Sequence, residues 1–400
     1  MVFLYRRKYD TIKEIEKENK TMRHHTWNRI FALMLIAALL GTLLAGCGTK
    51  EEPITTVYAA SDFQPYQSSK DDPGKGQLYM QTILQAMKKD GYNIKSALLC
   101  GDYSKTGNTW KNIDSQLNNA GVSAIAQILE AELGLTFDDT IYVQGNHDPA
   151  DINGLDPFGA NDAENYGVFV IHEDNYQWKQ GVTNSTGNEG TDAKAHAKET
   201  AADLEQYLSA KLKEKYQKPI FICAHIPLHY SLRTATMASQ DNIYAKMIFD
   251  VLNEYGQQLN LIFLYGHNHS DNDDDYLGGG SVYLGEGDKI LIANEGDYRT
   301  FAEYTLHFTY MNAGYLGYYD GDCAGSGISS TVFAIYKDRV EVARYTYMEK
   351  NGKATAKQAP LKEAGVWEGA VGVGAFQEGV ENTTVYSGVQ VIQLKKLGEE

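Results

Sequence analysis

Apolar residues fall into two alternating textures along the chain. Short unbroken runs bounded by polar residues or glycine (TTVYAA, SALLC, TIYVQ, PIFICA, NLIFLY and KILIA) have the length and the β-branched and aromatic content of buried strands. Other apolar residues recur at helical spacing. These are Met80, Ile83, Leu84 and Met87 after the first run, a stretch from about Trp110 to Leu133 after the second, Leu204, Leu208 and Leu212 before PIFICA, and Ile243 to Tyr255 before NLIFLY. Strand and helix in alternation predict an α/β fold with crossover helices.

Three stretches depart from the alternation. Residues 150–195 are rich in Gly, Asn and Asp and contain one strand-like piece, YGVFVIH; a loop this long inside a compact domain marks an insertion or a functional segment. Residues 301–350 are Tyr-rich and end in TVFAIYKDRVEVARYTY, which predicts a hairpin turning near Lys337-Asp338. From Lys350 onward, the Gly- and Val-rich tail is compatible with a small β appendage and with a flexible end.

At the N-terminus, Arg23 and Arg29 precede an apolar segment, unbroken from Ile30 to Leu40, that continues through small residues to Cys47, the layout of a secretory signal. The ending Leu44-Ala45-Gly46-Cys47 resembles the lipobox of bacterial lipoproteins. That resemblance implies lipidation of Cys47, a lipid anchor in the bacterial cell membrane, and Met22 as the translational start. An uncleaved transmembrane anchor is the alternative, since Ile30 to Cys47 is just long enough to span a bilayer. Either reading places the remainder outside the cytoplasm, with residues 48–53 as a tether.

Charge narrows the partners. The chain has 36 Lys/Arg and 52 Asp/Glu; residues 1–46 hold eight and four of these, leaving 28 basic and 48 acidic residues and a formal charge of −20. This argues against nucleic acid or an anionic membrane surface as a standing partner, while bound metal can reverse the field locally and admit a phosphorylated substrate. Beyond Cys47, the cysteines Cys100, Cys223 and Cys323 are odd in number with no CxxC pair, which argues against a disulfide framework. Cys100 and Cys223 sit inside apolar runs and read as buried thiols.

The candidate chemistry lies where the strands stop. TTVYAA runs into Ser61-Asp62, SALLC into Gly101-Asp102, TIYVQ into Gly145-Asn146-His147-Asp148, PIFICA into His225, and NLIFLY into Gly266-His267-Asn268-His269. Carboxyl ends of strands in an α/β sheet line one edge, so residues scattered along the chain converge there. Two carboxylates, an amide and three imidazoles are too many unlike polar groups to bury without a common partner. A metal centre supplies one: oxygen and imidazole donors without thiolate suit borderline divalent ions such as Mn, Fe, Zn or Ni, and the count suits two of them. Singly, each residue has a plainer reading. Asp62 and Asp102 would be turn or cap residues, Gly145-Asn146 a turn, and His225 a core histidine.

In this order, the GD, GNHD and GHxH blocks resemble the calcineurin-like metallophosphoesterases over roughly Ile54 to Tyr347. The resemblance implies a four-layer αββα sandwich, here with a C-terminal β-rich addition. It divides the chain into an extension and signal (1–47), the tether (48–53), a metallophosphoesterase domain (54–350) and a tail or small β appendage (351–400). One metal would take Asp62, Asp102 and His269, the other Asp102, Asn146, His225 and His267, with Asp102 bridging. His147 would be the proton donor to the leaving alkoxide, and Asp148 would fix its tautomer. The implied activity is hydrolysis of phosphate mono- or diesters by a metal-bridging hydroxide, on a small-molecule or cell-envelope substrate.

Two positions depart from the family pattern. Where the first block usually reads Asp-x-His, this chain has Asp62-Phe63-Gln64. Neutral amide for neutral imidazole leaves the charge of the site unchanged but weakens a donor, and Gln64 has three open roles: coordinating, holding a water, or pointing away. In the purple branch, GDxxY supplies a tyrosinate; Lys105 stands at that place here and Tyr103 lies next to Asp102, so no purple chromophore is expected. His229 reads either as a neighbour of the metal shell or substrate pocket, or as a surface histidine. Tyr304, Tyr310, Tyr315, Tyr318 and Tyr319 read either as an aromatic platform or as strand packing. SDNDDDY, following the GHxH block, reads as a solvated acidic loop. The competing function is a non-catalytic binding lipoprotein on a degenerate phosphoesterase scaffold. Gln64 supports it, and an intact His147-Asp148 pair counts against it.

Overall fold

All six residues of Thr55–Ala60 are buried, as an unbroken apolar run requires of a strand covered on both faces. The computed structural model describes residues 51–63, 75–103, 120–146, 148, 155–172, 189–229, 244–267, 283–295, 297–317, 328–359, 361–362, 385–386 and 388–396. Of the two units into which the chain divides, Met1–Glu52 and Pro53–Glu400, the second carries every described element.

The fold is mixed α/β. Its helices are α1 (Lys75–Lys89), α2 (Ala120–Leu133), α3 (Glu189–Lys213) and α4 (Ala245–Tyr255). The first strands are β1 (Thr55–Ala60), β2 (Ser96–Leu99), β3 (Thr140–Tyr142), β4 (Gly159–Ala160), β5 (Gly167–Ile171) and β6 (Ile220–Ala224). Next come β7 (Leu261–Tyr265), β8 (Tyr283–Leu284), β9 (Lys289–Asn294), β10 (Asp297–Thr305), β11 (Thr309–Asn312) and β12 (Gly314–Tyr315). The chain continues through β13 (Ser329–Ile335), β14 (Arg339–Lys350), β15 (Lys353–Ala359), β16 (Leu361–Lys362), β17 (Val385–Tyr386) and β18 (Gln390–Gln393).

Two large sheets result. The first runs β15-β14-β13-β1-β2-β3, with β12 on β13 and β18 on β14; the second runs β4-β5-β6-β7-β11-β8. Strands β1, β2 and β3 are parallel to one another, as are β5, β6, β7 and β11, so within each set the carboxyl ends share an edge. The hairpin expected at Lys337-Asp338 is the β13–β14 turn, where the Tyr336 N–H donates to the Arg339 carbonyl at 2.9 Å. KILIA follows NLIFLY in sequence but not in the sheet. It forms β9, which pairs with β10 in a separate antiparallel ribbon, and the place beside β7 is taken by β11 from the Tyr-rich region. The apolar run alone does not distinguish these outcomes, because either place would bury it; in the ribbon Ile290 and Ile292 are buried.

Strand alternation sends side chains to opposite faces, and the apolar groups separate accordingly. Val57, Ala59 and Leu98 of the first sheet meet Val168, Phe221 and Ile262 of the second in one cluster. Tyr58 and Leu99 instead meet Met80 and Ile83 of α1 and Ile125 of α2. Ile222 and Phe263 meet Leu204 of α3 and Ile248 of α4, together with Ile290 and Ile292. Fully burying each such aliphatic side chain contributes about 1.5–3 kcal/mol, so the frame on which the strand ends sit is stiff.

The described part of the tail is β structure. β15 lies beside β14, and β18 pairs with the beginning of β14, from Arg339↔Gln393 to Val342↔Gln390. Just beyond β18, the Lys395 N–H donates to Asn260 Oδ1 at 2.6 Å, and Asn260 Nδ2 donates to the Lys395 carbonyl at 3.3 Å. The Lys395 ammonium bonds the Gly256 carbonyl and lies 2.9 Å from Glu286. A segment paired with the first sheet is thereby tied to the amino end of β7 in the second. Among the described residues no helix is long and apolar enough to cross a membrane; Ile30–Leu40 and Cys47 lie outside them.

Candidate metal centre

The five polar strand ends come from two sheets: β1, β2 and β3 deliver Asp62, Asp102 and Asn146 from one, while β6 and β7 deliver His225 and His267 from the other. Hydrogen bonds join the halves. The His267 N–H donates to Asp62 Oδ2 at 2.9 Å, and His225 Nε2 lies 3.2 Å from Asp102 Oδ2. Asn146 Oδ1 sits between the imidazoles, 3.0 Å from His225 Nε2 and 2.9 Å from His267 Nδ1. Within the halves, the Asp62 N–H donates to the Gly101 carbonyl at 3.0 Å and the Gly266 N–H to the His225 carbonyl at 2.8 Å.

Local backbone geometry makes this convergence possible. Asp62, Asp102 and His267 have φ of 53°, 58° and 63°, left-handed conformations that cost a non-glycine residue roughly 1–2 kcal/mol each. Asp62 and His267 are the second residues past β1 and β7, and Asp102 the third past β2, so the reversals fall where the strands have just ended. Such strain persists where surrounding contacts over-determine it, and it clusters at functional sites. Glycines make room for the neighbours. A Cβ on Gly266 would overlap the Ser61 hydroxyl and stand 2.6 Å from Asp62 Oδ2, and one on Gly145 would overlap Asp102 Oδ1.

Asp62, Asp102, His225 and His267 are all buried. Asp62, Asp102 and His225 each present a donor atom within 4.8 Å of the other two, a group that could hold a metal ion. The electrostatics favour a cation. Burial opposes protonation of His225, yet the neighbouring Asp102 and Asp62 carboxylates push its pKa up to about 10. Asp148 is pushed up to about 7, first by burial and then by the Asp102 charge, against the pull of backbone N–H donors. The donor set fits a divalent ion on its own chemistry: hard carboxylates, an amide oxygen and imidazoles, with no thiolate. His225 Nδ1 lies 2.7 Å from the Cys100 carbonyl, which calls for a proton there and leaves Nε2 facing Asp102 and Asn146, the orientation that metal-ligating histidines adopt.

Asp148 stands beside this group. Its Oδ2 accepts the N–H groups of Asp102 at 2.8 Å and Gly145 at 2.9 Å, and its Oδ1 accepts the Tyr103 N–H at 2.9 Å. It therefore staples the GD turn to the GNHD turn, a backbone role that the sequence reading did not anticipate. His147, His269 and Gln64 lie outside the described residues, as do Tyr318, Tyr319 and Lys105. The Tyr103 hydroxyl donates to the Leu99 carbonyl at 2.9 Å, beneath the site.

Among the remaining candidates, His229 is fully buried rather than on the surface, with Nδ1 2.7 Å from the Tyr310 hydroxyl. That hydroxyl also accepts the Leu228 and His229 N–H groups, and the Tyr310 ring stacks on Phe263 and Tyr265. Tyr310 and Tyr315 are wholly buried, and Tyr304 packs against Phe249 under Lys246; these three are packing residues, not an exposed platform. Tyr310 is packed because β11 lies between β7 and β8. A histidine the sequence reading passed over is His172, which ends β5 as the others end their strands; the signal was present in YGVFVIH.

No protein-family model matches the chain, and no curated protein matches it. Similar solved structures include Vacuolar Protein Sorting 29 from Cryptosporidium parvum, at 12% identity and a TM-score of 0.27 over 76% of this chain and 96% of that one. Vps29 from Entamoeba histolytica complexed with Zn²⁺ gives 11% and 0.29 over 76% and 98%. Vps29 from Chaetomium thermophilum gives 10% and 0.27 over 76% and 95%. At these TM-scores the likeness carries no argument, and the chemistry rests on the geometry above.

Proposed function

We propose that this chain is a dinuclear metal-dependent hydrolase of phosphate mono- or diesters, of the calcineurin-like metallophosphoesterase type, anchored outside the cytoplasm through a lipid on Cys47. The observation that carries the reading is the buried convergence of Asp62, Asp102 and His225 from three strand ends, with Asn146 between His225 and His267. The three separate apolar clusters support its four-layer αββα architecture, and β15 and β18 support a β-rich addition after residue 350.

In this reading Asp62, Asp102 and His269 hold one ion, and Asp102, Asn146, His225 and His267 the other. Asp102 would be shared: its carboxylate lies 3.2 Å from His225 of the second sheet and within 4.8 Å of a donor atom of Asp62. When bound, the ions supply Lewis acidity toward a phosphoryl group and acidify water. Asp148 keeps Asp102 and Asn146 at a fixed separation by bonding the backbone of both turns. The Cys100 carbonyl holds the His225 ring so that Nε2 faces inward. His147 holds the proton that the leaving alkoxide takes up. Low dielectric around the buried carboxylates keeps their attraction for cations strong.

The test is reconstitution of the full chain after chelation, with Mn²⁺ or Zn²⁺ and aryl phosphate monoesters and diesters as probes. Recovery of hydrolysis with two equivalents of bound metal is the expected outcome. Folded protein that turns over nothing across a broad panel with any metal returns the reading to a binding module.

A further inference from the structure

Among the described residues β3 is the edge strand of the first sheet; on its outer side and just past its end, Tyr142 and Gln144 carry backbone groups that no described strand pairs, while the Val143 N–H turns inward to the Leu99 carbonyl at 3.0 Å. Side chains and an irregular segment take the place of a neighbouring strand. The Asp156 N–H donates to the Tyr142 carbonyl at 3.1 Å, and Asp156 Oδ2 accepts the Tyr142 N–H at 2.7 Å. One step further along, the Gln144 N–H donates to His172 Nδ1 at 3.0 Å, and His172 Nε2 lies 2.8 Å from the Asp156 carbonyl.

These bonds close a neck. The chain leaves β3 after Tyr142, passes Gln144, carries Asn146 and Asp148, and comes back at Asp156; His172 touches both sides of that neck. Because His172 ends β5, it also ties the second sheet to the edge of the first at the rim where the polar strand ends meet. A backbone N–H facing one ring nitrogen and a carbonyl facing the other dictate the neutral ring with its proton on Nε2. Removing the ring would leave a backbone N–H and a carbonyl without these partners.

We propose that His172 is a positioning residue for the metal centre: by clasping Gln144 and Asp156 it sets where Asn146 and Asp148 stand, without itself touching metal or substrate. This rests on the reading of the strand ends as a metal centre, and its test separates the two. The full chain is compared with His172→Phe, which keeps a flat ring without nitrogens, and with His172→Gln, whose amide offers one acceptor and one donor.

Three readouts are taken: amide exchange at Gln144 in metal-free protein, Mn²⁺ affinity by calorimetry, and kcat and KM on an aryl phosphodiester. His172→Phe should speed Gln144 exchange about tenfold or more. It should weaken Mn²⁺ binding about tenfold and lower kcat about tenfold with KM changed less than about twofold. His172→Gln should recover most of each loss. Wild-type values for exchange and Mn²⁺ affinity in His172→Phe overturn the proposal, as does a loss that His172→Gln fails to restore. Should His172→Phe fail to fold, His172→Asn carries the test. Its side chain is too short to reach Asp156, so partial losses in the same readouts are expected and wild-type values in all of them overturn the proposal. Absence of turnover in the wild-type chain sinks the proposed hydrolase and leaves the clasp to be judged by exchange and Mn²⁺ binding.

Discussion

The two ends of the parallel strands are built on opposite electrostatic rules. At the carboxyl ends, Asp62, Asp102 and Asp148 crowd together with His225 and His267, on three left-handed residues. At the amino ends, opposite charges pair: Asp162 with Lys211 at 2.5 Å beside β5, and Glu286 with Lys395 at 2.9 Å beside β7. At the amino end these opposite charges offset one another. The carboxyl end keeps like charges together in a strained frame, an arrangement a cation would relieve.

Breaking the carboxyl end should cost function and little stability. Asp102→Asn removes the proposed shared ligand and part of the repulsion with Asp148. It should abolish hydrolysis and two-metal binding while the metal-free melting temperature holds or rises, measured by calorimetry and metal titration. A melting temperature lowered along with activity would mean Asp102 is a structural group. His267→Ala should likewise end turnover, and Gln64→His should tighten binding of the first metal; unchanged affinity would put residue 64 outside the metal shell.

Packing changes beneath either end should act the other way. Phe221→Ala, in the cluster shared by both sheets, should destabilise by about 3–5 kcal/mol in denaturant titrations, whatever the metal content. Asn260→Ala removes the paired bonds to Lys395 and should cost about 1–2 kcal/mol with metal affinity unchanged. A shift in metal affinity would show that the two ends communicate.

The smallest effect is in acid. Burial alone would raise the Asp162 pKa, but bonds from Lys211, Tyr207 and the Val168 N–H outweigh it and hold the carboxyl below its usual range. Its folded pKa therefore lies below the unfolded one. The stabilisation is complete above the unfolded value and is lost as pH falls through the folded one. Asp162→Asn should flatten that part of the stability profile below about pH 4.

Much of this contrast could be read from residue order. Asp62, Asp102, Asn146, His225 and His267 announce themselves because polar residues ending apolar runs have few cheap places to go, and the four helices follow from apolar spacing. What stayed hidden depends on neighbours that sequence order does not name. His172 matters because β3 happens to be an edge strand. Tyr310 turned inward because β11, not β9, lies beside β7. Asp148 spends both oxygens on backbone donors from a turn 45 residues or more away.

The pairing of β1 with β13, Thr55 opposite Ile335, joins strands 280 positions apart in the chain. The strand that delivers Asp62 is among the first to be synthesised, yet its antiparallel neighbour emerges only after both halves of the centre have been made. High contact order of this kind slows folding and delays its completion until nearly the whole chain is available. A polypeptide wired in this way cannot complete its first sheet until residue 335 has left the ribosome.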